Sequence, residues 1–300
     1  MIRFTKKALA LALSLVLALS VGLTAFAAAS GDLTGDNKIG TADARKILRA
    51  AIGLDTLSAA EKDAADVNLD GAITTADARM ALRVAVGLEK SDGKLYKNQY
   101  DVLRSGFFFA DLTVTDSAGA QDMLIAATPD STYLQMMFTD AELKEEFGID
   151  AIQIDLLFKG EKAYLLDPAN RAYGEFPFEA MGMSKDELGD MTEAREMFNR
   201  FPSLDKASSK EKGKYNGASC TAYTFNYNNG ALKVFMDGKK LLAIAEYDEK
   251  NALAVLYEFR AAALTVPTAC TEIPSGYEAA DPIELMLTLF FGDLLKDLDP

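Results

Sequence analysis

The sequence predicts a multi-domain protein in which a small all-α unit precedes an α+β domain, built on an antiparallel sheet with helices. Two observations predict this division. A loop-and-helix pattern occurs twice near the N-terminus, and strand-like runs joined by tight-turn signals dominate from about residue 97 onward. A third observation, a basic and then apolar N-terminus, predicts a processing segment in front of both units.

The first 27 residues have the features of a signal peptide. Arg3, Lys6 and Lys7 precede an apolar run at residues 8–23, and Ala-Phe-Ala at 25–27 is a small-x-small cleavage site. The alternative is a single membrane anchor, but the run is near the lower length limit for spanning a bilayer. We therefore expect a secreted, extracellular protein without a stable membrane span after cleavage.

Composition limits the possible functions. With 31 Lys+Arg against 45 Asp+Glu, the net charge is −14, whereas nucleic-acid binding requires a basic face and is not expected. The chain contains no histidine, which excludes His-based catalytic triads and most catalytic zinc sites. Cys220 and Cys270 permit either one disulfide or two separate buried thiols, and the sequence leaves both open.

The N-terminal unit is an internal repeat with a period of 34 residues. Asp32–Leu54 and Asp66–Leu88 are identical at 13 of 23 positions. The shared residues include the acidic residues at places 1, 5 and 12 of a twelve-residue loop, and the closing Gly-Leu. Each copy therefore predicts one loop followed by one helix.

Each loop carries oxygen atoms at the spacing with which a chain curls around a hard cation. The candidate ligands are Asp32, Thr34, Asp36, Lys38 and Asp43 in the first loop, and Asp66, Asn68, Asp70, Ala72, Thr74 and Asp77 in the second. Lys38 and Ala72, at place 7, would offer backbone carbonyls. Oxygen ligands of variable reach suit Ca²⁺ best, so two calcium ions are predicted. The alternative is an acidic turn without an ion.

The helices that follow the loops have an apolar stripe with helical periodicity. The stripe consists of Ala44, Ile47, Leu48, Ala51 and Ile52, and it recurs at Ala78, Ala81, Leu82, Ala85 and Val86. Neither unit can bury its stripe alone, so we expect the two stripes to pack face to face. Gly53 and Gly87 are expected to end the helices.

Residues 31–89 resemble the type I dockerins. The resemblance lies in a duplicated loop of the pattern D-x-N-x-D-G-x-I-x-x-x-D, each copy of which is followed by a single helix. The resemblance implies a calcium-dependent module that binds a cohesin module of a scaffoldin, as in cellulosome-type assemblies at the cell surface. The first loop departs from the family pattern at Thr34 and Asn37, where Asn and Gly are usual. We therefore expect the first loop to bind calcium more weakly.

The resemblance also implies a partner-binding face, because loop places 10 and 11 and a helix residue near place 18 face the cohesin in this family. Thr and Arg side chains spaced by four residues extend that face along the helix. The candidates are Thr41, Ala42, Arg45 and Arg49 in the first copy, and Thr75, Ala76, Arg79 and Arg83 in the second. Two near-equivalent faces suggest docking in two orientations. The alternative is that the arginines form a solvated face.

The second domain, expected at residues 97–300, reads as an antiparallel meander. Strands are predicted at 106–115, 122–127, 133–138, 152–158, 162–166, 221–228, 231–236, 240–247 and 251–259. Asn229-Gly230 and Asp237-Gly238 are preferred hairpin turns between three of them. Helices are predicted at 184–201, where Ser184 and Glu187 form a capping box, and from Pro282 to the C-terminus. The last helix is apolar nearly all round, so we expect it to pack on the sheet.

This order of elements resembles the LolA-type lipoprotein carriers over about residues 97–280, which implies a half-barrel-like sheet whose concave face holds acyl chains. A lipid or other apolar molecule is the ligand that this implies. The candidate cavity residues are Phe107, Phe109, Leu134, Met136, Leu156 and Phe158. The alternative is that they form an ordinary sheet core.

No motif pairs two carboxylates for glycoside hydrolysis, and no phosphate-binding or nucleophile motif is present. Whether the protein is an enzyme therefore stays uncertain, and a non-catalytic role is favoured. The sequence predicts a secreted cellulosome-type component that docks through its dockerin and carries a ligand- or lipid-binding sheet domain. The alternative is a small polysaccharide-active component, either carbohydrate-binding or with a glycoside hydrolase-type activity in polysaccharide breakdown.

Overall fold

The computed structural model describes residues 30–138, 151–160, 162–175 and 197–296. The predicted signal peptide, residues 1–27, lies outside the described residues. So does most of the helix predicted at 184–201. Its described end, residues 197–200, forms a turn and not a helix.

The N-terminal unit contains three helices, α1 (Thr41–Ala51), α2 (Ala59–Ala65) and α3 (Thr75–Ala85). α1 and α3 are equivalent in the repeat and pack against each other. The predicted helix ends are confirmed. Gly53 has φ +77° and its N–H donates to the carbonyl of Ala50 at 3.0 Å, while Leu54 N–H donates to Arg49 O at 2.8 Å. Gly87 ends α3 in the same way, so a left-handed glycine closes each helix.

The predicted burial of the two helical stripes is only half right. Ala44, Ile47, Ala78 and Ala81 are buried between the helices. The larger side chains at the other edge of each stripe are exposed: Leu48 by 41%, Ile52 by 56%, Leu82 by 45% and Val86 by 56%. The helices meet largely through small alanine side chains, so the bulkier side chains beside that contact remain outside it.

Within the described residues, twelve strands form one sheet and two more form a small ribbon. The strands are β1 (Glu89–Ser91), β2 (Phe108–Asp116), β3 (Gly119–Thr128), β4 (Ser131–Phe138), β5 (Ile152–Lys159), β6 (Lys162–Asp167), β7 (Ala172–Glu175), β8 (Ser209–Tyr215), β9 (Ala218–Tyr227), β10 (Gly230–Asp237), β11 (Lys240–Tyr247), β12 (Leu253–Ala263), β13 (Thr265–Pro267) and β14 (Glu278–Ala279). The sheet order is β14-β7-β6-β5-β4-β3-β2-β12-β11-β10-β9-β8. Two meanders are thus joined by the antiparallel pair β2–β12.

The predicted fold class is confirmed: a helical N-terminal unit precedes a large, dominantly antiparallel sheet. The sheet is open, since β8 and β14 end it without pairing to each other. All nine predicted strands are present, with ends that differ by a few residues. The two-residue turns Asn228-Asn229 and Gly238-Lys239 separate β9, β10 and β11, close to the predicted turn positions.

Both faces of the sheet are covered. One face packs under helix α4 (Gln99–Leu103), residues 197–204 and helix α5 (Pro282–Lys296), and its core includes Phe108, Leu134, Leu156 and Phe158. The opposite face packs under β13 and the residues that follow it. Within α5, Leu285 is buried while Ile283 and Leu287 are about half exposed, so the expected packing of this helix on the sheet is confirmed.

The set of predicted cavity residues is wrong in one respect. Phe108 pairs with Ala127 and Phe109 pairs with Ala126, and successive strand residues point to opposite faces. Phe107 and Phe109 therefore belong to the cluster on the opposite face from Leu134 and Phe158. A one-residue error in phase is enough to place an aromatic run on the wrong side of a sheet.

The two cysteines are separate thiols. Cys220 on β9 and Cys270, after β13, are both buried and both free. Burial raises the pKa of the Cys270 thiol to about 12, and the negative charge of Asp155 adds to this rise. The Cys270 thiol is therefore protonated and unreactive at neutral pH.

Candidate calcium and docking site

The first loop is organised by its two buried aspartates. The carboxylate of Asp32 accepts hydrogen bonds from the amides of Gly35 at 2.6 Å and Asn37 at 2.8 Å. Asp43, at place 12, reaches back across the loop and accepts from the amide of Leu33 at 2.9 Å. Its second oxygen accepts from Gly40 N–H at the start of α1. One carboxylate thus closes the loop and caps the helix that follows.

The second loop repeats these contacts. Asp66 accepts from the amide of Asp70 at 3.1 Å, and Asp77 accepts from the amides of Asn68 at 3.1 Å and Thr74 at 2.8 Å. Thr74, at place 9, also caps α3 through its hydroxyl, a role that Gly40 cannot fill in the first copy. In both loops, the aspartates at places 1 and 12 therefore point into the loop and bind its backbone amides.

Each loop places two residues in the left-handed backbone region. In the first loop they are Gly35 with φ +76° and Asn37 with φ +62°; in the second they are Leu69 with φ +54° and Gly71 with φ +88°. Asn37 adopts the conformation for which Gly is usual, as expected. Leu69 is the costlier residue in such a position, so backbone strain does not single out the first loop as the weaker one.

The acidic side chains fit a hard cation. Oxygen atoms of Asp32, Asp36 and Asp43 lie within 4.8 Å of one another, and among the described residues no other trio of acidic or cysteine side chains converges as closely. Carboxylates at this separation repel unless a cation lies between them. Oxygen donors of this number favour Ca²⁺ over a transition metal.

In the second loop the acidic side chains also lie close enough to influence one another, although they converge less closely than those of the first loop. Burial raises the pKa of Asp77, and the charges of Asp66 and Asp70 add to the rise against the opposing amide hydrogen bonds. All the candidate ligand positions thus lie in two loops whose backbones have positive φ angles at equivalent positions. The two loops differ in their surroundings, because the second one contacts the sheet domain.

Helix α2, which was not predicted from the sequence, supports the first loop. Ser58 caps it and Glu61 completes a capping box. Lys46 on α1 donates both to the carbonyl of Leu33 in the first loop at 3.0 Å and to Glu61 at 2.6 Å. The motif Ser-x-x-Glu at 58–61 is a recognisable start signal, but the helix has only 7 residues.

Glu61 makes this support of the first loop sensitive to acid. The hydrogen bond from Lys46 and then those from Ser58 lower the pKa of Glu61 to about 2. A lowered carboxyl pKa stabilises the fold above the unfolded value of about 4.5, and the contribution is lost as pH falls toward about 2. In calcium-free buffer, we expect Glu61→Gln to cost about 0.5–1 kcal/mol at pH 6, because the pair is partly exposed. Chemical unfolding from pH 6 to 2 should show this difference shrinking with acid; a constant difference would contradict it.

The candidate partner face lies on the outside of the repeat. Thr41, Ala42, Arg45 and Arg49 are exposed, as are Thr75 and Arg79, whereas Ala76 and Arg83 are half-buried. Arg49 forms a bidentate pair with Asp55, at 2.8 and 2.9 Å, and Arg83 pairs with Glu89. Arg49 and Arg83 are therefore held in place by equivalent ion pairs in the two copies.

This surface also has an apolar part, which was not predicted from the sequence. Three exposed residues of the first copy recur at the equivalent positions of the second: Leu48, Ile52 and Leu54, and Leu82, Val86 and Leu88. Apolar side chains exposed in a matched pair of patches beside ordered arginines have the composition of a protein-binding surface. The repeat itself was the available signal, because identical exposed leucines at both copies have no role in the core.

In the part of the chain that the structure describes, hydrogen bonds join the repeat unit to the sheet domain in two regions. At the first, β1 pairs with β13, and Thr268 donates from its amide to Leu88 O and from its hydroxyl to Gly87 O. At the second, Gln99 on α4 donates to the carbonyl of Asn68 in the second loop at 2.8 Å. Loop two therefore packs against the sheet domain.

Lys239, in the turn between β10 and β11, completes the second attachment. Its ammonium lies 2.9 Å from Oδ2 of Asp66 and 3.3 Å from Oδ1 of Asp63. Partial burial lowers the pKa of Lys239, but the hydrogen bonds and charges of the two aspartates outweigh it and raise the pKa. Lys239 is thus positively charged and lies in contact with Asp66, a candidate calcium ligand.

The comparison with known families decides the nature of the N-terminal unit. Residues 30–83 match the family model of the dockerin type I domain. The resemblance drawn from the two loops is thereby confirmed, and we refer to these residues as the dockerin region. No curated protein is significantly similar to this sequence.

Solved structures resemble the chain only slightly. An uncharacterised conserved protein from Thermus thermophilus is 7% identical, with a TM-score of 0.32 over 61% of this chain and 96% of that one. A MucA/MucB complex structure from Pseudomonas aeruginosa is 10% identical, with a TM-score of 0.30 over 55% of each chain. A putative outer membrane lipoprotein-sorting protein domain from Vibrio parahaemolyticus is 10% identical, with a TM-score of 0.21 over 54% of this chain and 90% of that one.

The last of these belongs to the kind of protein that the sheet domain was expected to resemble, but similarity at this level does not support a function. Among the described residues, none of the helices is both long and apolar enough to cross a membrane.

Proposed function

We propose that this protein is a secreted component of a cellulosome-type assembly, and that its dockerin region binds a cohesin module of a scaffoldin in a calcium-dependent manner. The observation that carries the proposal is the convergence of Asp32, Asp36 and Asp43 within a dockerin type I match. Two loops of this kind fix the starts of α1 and α3, and the two repeats carry the arginines and the exposed apolar residues described above.

We further propose two calcium ions, one in each loop. The ligands would be Asp32, Thr34, Asp36, Lys38 and Asp43 for one ion, and Asp66, Asn68, Asp70, Ala72, Thr74 and Asp77 for the other. Calcium would offset the repulsion between the three carboxylates of each loop. Binding free energy then becomes folding free energy, because the empty loops carry that repulsion.

The proposal is tested by capture on immobilised cohesin modules. Purified mature protein should be retained in millimolar calcium and released by EDTA. Native mass spectrometry in the same buffer should show two calcium ions per chain. Retention that persists unchanged in EDTA would contradict the calcium-dependent mode of docking.

The partner face can be tested by charge reversal at its arginines. We expect Arg49→Glu with Arg83→Glu to weaken cohesin binding by about 30-fold or more, since buried arginines at protein interfaces often contribute about 2 kcal/mol or more. Binding is measured by surface plasmon resonance with calcium present. Lys212→Glu with Lys214→Glu, on the exposed edge strand β8, makes the same change in charge and should leave binding unchanged. If the arginine variant bound cohesin as tightly as the lysine variant and the wild-type protein do, Arg49 and Arg83 would be only a solvated face.

For the sheet domain, we propose a non-catalytic role in binding a lipid or other apolar molecule. Support comes from the sheet face under α5, where Met123, Met136 and Ile154 are only partly buried next to the core. Methionine side chains adapt their shape to an apolar ligand at little cost. Native mass spectrometry of protein purified from cells should detect a co-purifying lipid. Protein that carries no lipid and takes up none from detergent-solubilised membranes would contradict this role.

A further inference from the structure

The turn between β10 and β11 brings a cation of the sheet domain to the second calcium loop. The ammonium of Lys239 is 2.9 Å from Oδ2 of Asp66, the residue at place 1 of that loop. The side chain of Asp66 is only 4% exposed and that of Lys239 is 30% exposed. The pair is therefore largely shielded from solvent, where a charge interaction is stronger than on an open surface.

The position of this lysine is fixed by backbone hydrogen bonds. Gln99 donates its amide N–H to the carbonyl of Lys239 at 3.0 Å, and its side-chain oxygen accepts from Leu241 N–H at 2.9 Å. The side-chain nitrogen of the same glutamine donates to Asn68 O in the loop. Gln99 is 6% exposed, so one buried amide joins the turn to the loop and holds Lys239 against Asp66.

The first loop differs from the second in its ion pairs. Among the described residues, no lysine or arginine forms an ion pair with the three converging carboxylates of Asp32, Asp36 and Asp43. The nearby Lys46 is bound instead to Leu33 O and Glu61, and Lys38 is exposed. Two loops with acidic residues at the same three places thus differ in whether a lysine of the sheet domain pairs with one of those residues.

We infer that Lys239 lowers the calcium affinity of the second loop, so that the sheet domain sets the order in which the two loops load. The inference rests on the proposed calcium binding. The ammonium of Lys239 neutralises part of the charge of Asp66. An ion bound by Asp66 meets the repulsion of the adjacent ammonium, which the first loop does not impose. By linkage, calcium in the second loop weakens the contact of Lys239 with the dockerin region to the same degree.

This inference reverses the order of affinities expected from sequence alone. Thr34 and Asn37 predict a weaker first loop. The strained backbone of Leu69 and the charge of Lys239 are both expected to lower the calcium affinity of the second loop. The sheet domain therefore contributes Lys239 to the surroundings of the second calcium site, and the isolated dockerin region would show a different calcium affinity at that site.

The experiment isolates the second loop within the full mature chain. Asp36→Ala removes an exposed ligand of the first loop and leaves one calcium-binding event for calorimetric titration. In that background we expect Lys239→Met to bind calcium about tenfold more tightly, since it removes one charge next to the ion. Lys239→Gln, which keeps a hydrogen-bond donor for Asp66 but no charge, should tighten binding similarly.

Two controls make the result specific. Lys162→Met removes an exposed lysine that pairs with Glu175 on the sheet at 2.7 Å, and it should leave the calcium affinity unchanged. Lys239→Arg keeps the charge and should retain the calcium affinity of the Asp36→Ala protein. Far-ultraviolet circular dichroism in EDTA checks that each variant is folded.

The outcomes separate the inference from the proposal beneath it. Equal or weaker calcium binding by folded Lys239→Met and Lys239→Gln, with the Asp36→Ala protein still binding, overturns the role of Lys239 alone. If neither the Asp36→Ala protein nor the wild-type protein binds calcium, both the role of Lys239 and the proposed calcium-dependent function are overturned. Tighter binding in both neutral variants but not in Lys239→Arg or Lys162→Met supports the inference.

Discussion

Replacement of Asp32 and Asp66 by alanine is expected to abolish capture by cohesin and to remove the calcium-dependent part of the stability. These residues hold place 1 of the two loops, and both are buried. Calcium at about a thousand times its Kd stabilises a protein by about 4 kcal/mol per site, so the wild-type protein should gain much more than the double variant. Thermal unfolding in calcium and in EDTA measures the gain, and immobilised cohesin measures the capture.

Both aspartates also accept amide hydrogen bonds within their own loops, so the double variant should lose some stability in EDTA as well. The informative quantity is therefore the shift in unfolding temperature between EDTA and calcium. Asp130→Ala with Glu249→Ala removes the same charge from exposed turns of the sheet domain and should keep the wild-type shift. A double loop variant that still gains stability from calcium would show that the ion binds elsewhere.

The loops and their helices were predictable because their information is local. Places 1 and 12 of each loop, the Gly that ends each helix and the 34-residue period all lie within one short segment. The same local reasoning misjudged Leu48 and Ile52, which continue the apolar stripe of α1 but lie outside its contact with α3. Periodicity shows that a helix has an apolar side. It does not show how much of that side a partner helix of small residues can cover.

The sheet was predictable at the level of strands but not of faces. The turn signals at Asn229-Gly230 and Asp237-Gly238 placed β9, β10 and β11 closely. The edge strand β8 was missed because its exposed sequence, Ser-Lys-Glu-Lys-Gly-Lys-Tyr, lacks the apolar alternation of a half-buried strand. Its lysines suit an unpaired edge, since charge there opposes pairing with another chain.

The contact of Lys239 with Asp66 could not be predicted, because 173 residues separate the two. Nothing in the Gly-Lys-Lys sequence of the β10–β11 turn distinguishes Lys239 from an ordinary solvated lysine. Its role follows from the packing of α4 between the turn and the second loop. A non-local contact of this kind appears only once the pairing of the whole sheet has fixed where the turn lies.

The second large effect is expected at Phe198, which closes the core over the sheet. Its ring is fully buried and lies 5.6 Å from that of Phe108, 5.8 Å from Tyr257 and 5.9 Å from Phe259, measured between ring centroids. We expect Phe198→Ala to destabilise the protein by about 3–5 kcal/mol, because it removes the buried ring and leaves a cavity among aromatic neighbours. Urea unfolding at saturating calcium, followed by tyrosine fluorescence, measures the loss.

The segment that carries Phe198 is fixed by two further hydrogen bonds, so it cannot readily collapse into that cavity. Tyr100 donates its hydroxyl to Pro202 O at 2.8 Å, and Arg104 donates to Phe201 O at 2.7 Å. Tyr227→Ala is the matched control, since this ring is 50% exposed and should cost less than about 1 kcal/mol. If both variants lost equally little stability, residues 197–202 would not be part of the core, and the sheet face beneath them would be open to a ligand.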